Sequence, residues 1–291
     1  MNDAVRTAID DEARWNLLQN KAQEVRVVEA FELFRKNGIE PVLIKGYAAA
    51  RNYPDSETRL SLDVDFAVAD SDFEKARTIE TPEGLGVDVH RELRHLDTLP
   101  WDDLFRNSQM IELNGCSVRV LRAEDHLRVL CVHWLTDGGS DKTRLWDIYY
   151  AIAHRPPDFD WGRFLDVVTP RRRRWLVATI GLARRYLGLD LAGTPIETEA
   201  RDLPKWLIRT VEREWALERE RPMETAVFDR AMFVNQLARR LRPNPIRAAV
   251  EAEGDFDAKT RVFYQIGNFV SRIRPTLRRI VRTVRGQNRE R

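Results

Sequence analysis

Two aspartates set inside an apolar run constrain this chain more than any other feature. The stretch Leu62-Asp63-Val64-Asp65-Phe66-Ala67-Val68 has the alternation of a strand. With a period of two, Leu62, Val64 and Phe66 take one face and Asp63 and Asp65 the other. Their Cα atoms then lie roughly 6.5 Å apart, close enough for both carboxylates to turn toward a shared cation. Aspartate is disfavoured in strands, and paired carboxylates repel, so a divalent metal is the natural compensation.

The surrounding pattern predicts an α+β fold: a small mixed sheet flanked by helices, then an all-α part. A helix is expected over 11–36, stopped by Asn37-Gly38, with a strand over 39–44. Gly46 to Tyr53 is alanine-rich and ends at Pro54. Ser71 and Glu74 suggest a capping box opening a helix that runs to about Ile79. Residues 86–93 form a third strand, with Asp88, His90 and Glu92 on one face. Asn114-Gly115 marks a hairpin between 109–113 and 117–121. Beyond Ala123 only helical stripes follow, such as Leu127, Leu130, Cys131 and Trp134. The expected division is a catalytic part at 1–122 and a helical part at 123–291.

With 43% hydrophobic and 32% charged residues the chain suits a soluble fold with a core, and no run reaches a membrane-spanning length. Cys116 and Cys131 fit no ligand motif and read as reduced thiols, so a cytoplasmic setting is expected. The net charge of +2 conceals a tail, residues 271–291, with eight arginines and one glutamate. Pro275 suits a first helical position, and Leu277, Ile280, Val281 and Val284 form a stripe among the arginines. Such a segment could contact RNA or an anionic surface, or pack on the helical part with its arginines in water. Arg171 to Arg174 read as a solvated face.

An Asp-x-Asp strand, a later strand bearing Asp88, and Lys45-Gly46 at a strand-to-helix turn describe a two-metal phosphoryl-transfer site. Asp63, Asp65 and Asp88 are the expected metal ligands and catalytic carboxylates, with Mg²⁺ as the ion and Mn²⁺ as the alternative. Lys45, the Gly46 amides and Arg59 are candidates for the phosphates. Arg59 has a rival reading as an ion pair with Asp63 or Asp55. Lys142 and Arg144 are candidates for reaching a triphosphate from the helical part. Asp147 can pair with Arg144, His90 can line the site or support it, and His133 reads more readily as a packing residue.

Leu43-Ile44-Lys45-Gly46, Arg59 to Val68, and Val87-Asp88-Val89-His90 together resemble the uncharacterised nucleotidyltransferase family of the polymerase-β-like superfamily. Cys131-Val132-His133-Trp134 and Arg144-Leu145-Trp146-Asp147-Ile148 resemble its helical segment. The resemblance covers roughly 35–155. It implies metal-dependent transfer of a nucleoside monophosphate from an NTP, with ATP the default donor by abundance, to a hydroxyl acceptor whose identity stays open. Asp63 and Asp65 match the metal pair, Asp88 the third carboxylate, and Lys45-Gly46 the Lys-Gly turn. Two features depart from the wider superfamily: Tyr47 follows Gly46 where a serine is usual, and sixteen residues separate Gly46 from Asp63. A kinase using the same metals is one rival reading. Another is a catalytically silent module that binds RNA or an anionic membrane through the basic tail.

Overall fold

The structure, a computed structural model, describes residues 3–54, 59, 61, 63–93, 96–216, 244–268 and 270. The arginine-rich tail at 271–291 lies outside the described residues, as do Asp55, Leu60 and Leu62. A long first helix, α1 (Asp3–Lys36), leads into β1 (Val42–Leu43), the single turn α2 (Tyr47–Ala50), β2 (Val64–Val68), α3 (Asp70–Ala76) and β3 (Val87–Arg91). Then come α4 (Trp101–Arg106) and the hairpin of β4 (Gln109–Leu113) and β5 (Cys116–Val120). The five strands form one mixed sheet in the order β3-β2-β1-β5-β4. β2 runs parallel to β3 and antiparallel to β1, and β1 runs parallel to β5.

Alternation along β2 decides what each face of the sheet buries. Val64, Phe66 and Val68 join an apolar cluster with Val27, Phe31 and Phe34 of α1. Phe31 and Phe34 meet Phe66 edge-on at 4.8 and 5.1 Å, a favoured aromatic geometry. At the hairpin, Asn114 and Gly115 both have positive φ, 48° and 79°, as a two-residue primed turn requires. The capping box at Ser71 is not formed. α3 starts two residues earlier, behind Ala69 with no side-chain cap, and Asp70 and Asp72 fill its first turn, where carboxylates favour the helix dipole.

After β5 every described element is helical: α5 (Ala123–Thr136), α6 (Leu145–Ala153), α7 (Trp161–Leu165), α8 (Pro170–Leu187), a 3-10 turn at Glu199–Arg201, α9 (Lys205–Ala216) and α10 (Pro245–Glu251). The apolar cluster of these helices includes Val42, Ile44 and Ala67 from the second face of the sheet, beside Leu127, Trp134, Ile148 and Trp175. No helix among the described residues is long and apolar enough to cross a membrane.

Of the arginine run at the start of α8, Arg171 is exposed, but the other three do not form a solvated face. Arg172 is buried and paired with Glu253, Arg173 pairs with Glu199, and Arg174 pairs with Asp257. These partners lie 26 to 83 residues further on, so the local charge run gave no sign of them.

Deeper still, Arg128 donates to Asp97 and Asp125 and to the Arg163 carbonyl, and Arg163 closes onto Asp125 and Asp103. Arg128, Asp97 and Asp125 are almost wholly buried, so removing the arginine strands the Asp97 carboxylate away from water without a cation and leaves Asp125 to Arg163 alone. Arg128→Ala is expected to cost about 3–5 kcal/mol in urea unfolding. Arg174→Ala, whose partners are largely exposed, should cost under about 1 kcal/mol.

Candidate functional site

The parallel pairing of β2 with β3 sets Asp65 directly opposite Asp88 and Ala67 opposite His90. His90 follows Asp88 by two residues, so the pleat turns both side chains to one face. His90 Nε2 lies 3.0 Å from Asp88 Oδ2 and 3.4 Å from Asp65 Oδ1. One ligand atom from each of the three residues falls within 4.8 Å of the other two. Asp65 and His90 are mostly buried, whereas the Asp88 side chain is 61% exposed.

Lys45 completes the group. The Ile44 N–H donates to the Asp65 carbonyl at 3.1 Å, bringing the next residue alongside the site. Lys45 Nζ then reaches Asp65 Oδ1 at 2.7 Å. Burial on its own would raise the Asp65 carboxyl, but the His90 hydrogen bond and the Lys45 charge outweigh it and hold the group below its ordinary range. Gly46 permits the sharp turn that follows, with φ of 61°. A Cβ at this position would stand 2.9 Å from Ser61 Oγ and 3.2 Å from the Asp63 carbonyl. The chain entering β2 thus packs on the bare glycine, and Ser61 Oγ donates to Asp63 O at 3.0 Å. A serine hydroxyl therefore does stand beside the turn, supplied from fifteen residues downstream rather than from position 47.

The other candidates separate. Asp63 is exposed, precedes the first paired residue of β2 and lies outside the three-residue group. Arg59 is bidentate on Asp147, at 2.6 and 2.8 Å, and Tyr53 Oη donates to the same carboxylate at 2.8 Å. Asp147 therefore pairs with Arg59 across 88 residues, and not with Arg144 as helix spacing suggests. Lys142 sits over the Trp215 ring, 5.4 Å from its centroid. Arg144 donates to His133 Nε2 at 2.8 Å and lies 3.2 Å from Asp137 Oδ2.

An imidazole nitrogen that accepts from a guanidinium is unprotonated, and His133 has reasons to stay so. Burial, then the positive charges of Lys45 and Arg144, push it down to about 3. The charges of Asp65 and His90 also act on it, which places this histidine beside the carboxylate group. His126, buried near Arg51 and Arg59, is likewise held well below its ordinary value, first by burial. Sequence reasoning passed over Tyr53, Ser61, Asp137 and His126. Of these, only Asp137 carried a signal, four residues after His133 at the end of α5.

The depressed histidines make stability pH-dependent. Unfolded, each binds a proton near pH 6.5, and folded, neither does so until far lower pH. The unfolded state therefore takes up more protons below pH 6.5, and stability present above that pH is lost as pH falls toward 3. Unfolding free energy should drop by about 1.4 kcal/mol per pH unit for each such histidine. Urea titrations from pH 7 to 5 test this, and His133→Gln should remove about half of the histidine-linked slope.

A family model described as an uncharacterised nucleotidyltransferase matches residues 1–80 and 77–188. No curated protein and no solved structure matches the chain.

Proposed function

The chain belongs to the uncharacterised nucleotidyltransferase family, and from that premise we propose that it moves a nucleoside monophosphate from an NTP, ATP by default, to a hydroxyl acceptor. The carrying observation is the group of Asp65, Asp88 and His90 on neighbouring strands, with Lys45 on the same carboxylate. Two carboxylates and an imidazole are a fitting donor set for a divalent cation. Asp65 and Asp88 would hold it, with Asp63 at the rim for a second ion. Mg²⁺ or Mn²⁺ there would make the acceptor hydroxyl more acidic and neutralise the leaving pyrophosphate.

In this reading the acceptor oxygen bonds to the α-phosphorus, the bond to pyrophosphate breaks, and the hydroxyl proton passes to a carboxylate. Asp88, the more exposed of the two, is the one an acceptor can approach. Lys45 brings an ammonium to the phosphates. Arg144 is the better placed of the two candidate arginines, because its nearest partner is a neutral imidazole and its carboxylate contacts, Asp137 at 3.2 Å and Asp141 at 3.8 Å, are looser than the bidentate grip on Arg59. Its side chain is 41% exposed, whereas Arg59 is mostly buried and neutralised by Asp147.

Incubation with each α-³²P-labelled NTP, Mg²⁺ or Mn²⁺ and a cell lysate tests the proposal. Label should pass to a lysate component with release of pyrophosphate, and Asp65→Asn should lower transfer by about a hundred-fold or more. Release of NDP and transfer of γ-label would instead mark a kinase. A folded wild type that transfers neither label would overturn the reading.

A further inference from the structure

Resting on that reading, we propose that His90 is itself a metal ligand, and that its nitrogen makes the site favour Mn²⁺ over Mg²⁺. The donors that the fold gathers are two oxygens and one nitrogen, Asp65, Asp88 and His90. The third acid of the sequence pattern, Asp63, stands outside that group. The position of His90 is set by strand register and not by a loop: Asp65 and Asp88 are cross-strand partners, and His90 is two residues along from Asp88. It turns Nε2, the outer ring nitrogen, toward both carboxylates; without metal that nitrogen donates to them, and with its proton on Nδ1 instead it would offer a lone pair to a cation bound by the two acids.

Mn²⁺ binds carboxylate oxygens as Mg²⁺ does but accepts an imidazole nitrogen more readily, later first-row ions accepting it more strongly still, whereas Mg²⁺ prefers oxygens alone and holds its water tightly. His133 does not compete for this role, since its Nε2 already accepts from Arg144. Lys45 Nζ lies on Asp65 Oδ1, so that oxygen already faces positive charge without a metal. The rival account makes His90 only a hydrogen-bond donor, with a proton on Nε2 and metal held by carboxylates alone.

Mn²⁺ is the probe, added to the full chain without nucleotide and followed by electron paramagnetic resonance. Echo-envelope modulation should show coupling to a directly bound imidazole nitrogen in wild type. That coupling should vanish in His90→Gln, with Mn²⁺ affinity falling about ten-fold or more. His90→Asp, which restores an oxygen donor, should bind Mn²⁺ without nitrogen coupling and should need less Mg²⁺ to displace it. Thermal unfolding of each variant confirms that the fold survives. The inference is overturned if wild type binds no Mn²⁺, if bound Mn²⁺ shows no nitrogen coupling, or if the coupling persists in His90→Gln. Label transfer without nitrogen coupling would end this inference and leave the transfer reading standing. Nitrogen coupling in a protein that transfers no label would do the reverse.

Discussion

The in-register parallel pairing of β2 with β3 is the constraint on which the rest of the site depends. It sets Asp65 and Asp88 side by side, and like charges directly across a sheet are destabilising. The fold answers with a lysine and an imidazole supplied by the same sheet. Antiparallel pairing of β1 with β2 brings Lys45 to Asp65, and alternation along β3 brings His90 to both acids. Shifting either strand by one residue would turn a site residue onto the α1 face, where Val64, Phe66 and Val68 pack. The hydrophobic contact with α1 and the polar cluster opposite therefore enforce one register.

The two arginines near the site, Arg59 before β2 and Arg144 at the start of α6, differ in availability. Arg59 is committed: buried, bidentate and joined by Tyr53 on Asp147, it ties the segment before β2 to α6. The Asp147 carboxylate more than offsets what burial would do, keeping the guanidinium firmly charged. Arg144 is poised differently, since its closest partner is an imidazole kept neutral by burial and by nearby positive charge. Its carboxylate contacts, Asp137 at 3.2 Å and Asp141 at 3.8 Å, are looser than the fork on Arg59, so a phosphate would draw it away at less cost. The distinction rests on what each arginine touches, and composition does not reveal it.

Much of the fold was legible because it is local. Strand alternation, the Asn114-Gly115 turn and the helical stripes after Ala123 all depend on neighbours within a few residues. Lys45, Asp65 and Asp88, which the structure brings together, stood out for the same reason, as polar residues in or beside apolar strands. Long-range partners were not legible. Arg59 with Asp147, and Arg172 with Glu253, join residues more than eighty apart, and a sequence offers many carboxylates to each arginine. Local rules also failed where chain ends compete: Ser71 had the residues of a capping box, yet α3 begins at Asp70.

The position of Asp63 shows how spacing along one strand leaves out the neighbour that register brings in. Along a strand, residues two apart stand roughly 6.5 Å from each other, while adjacent strands are only about 4.8 Å apart. A cluster built across the sheet is therefore tighter than one built along a single strand. Pairing of β2 with β3 starts at Val64, so Asp63 has no cross-strand partner to hold it inward. Asp65 has one in Asp88, and the next inward position on β3 belongs to His90. Spacing within one segment pointed to a pair of aspartates, whereas the register between two segments selects two aspartates and a histidine. In the proposed metal site, a nitrogen donor in place of an oxygen donor would change which cation is preferred.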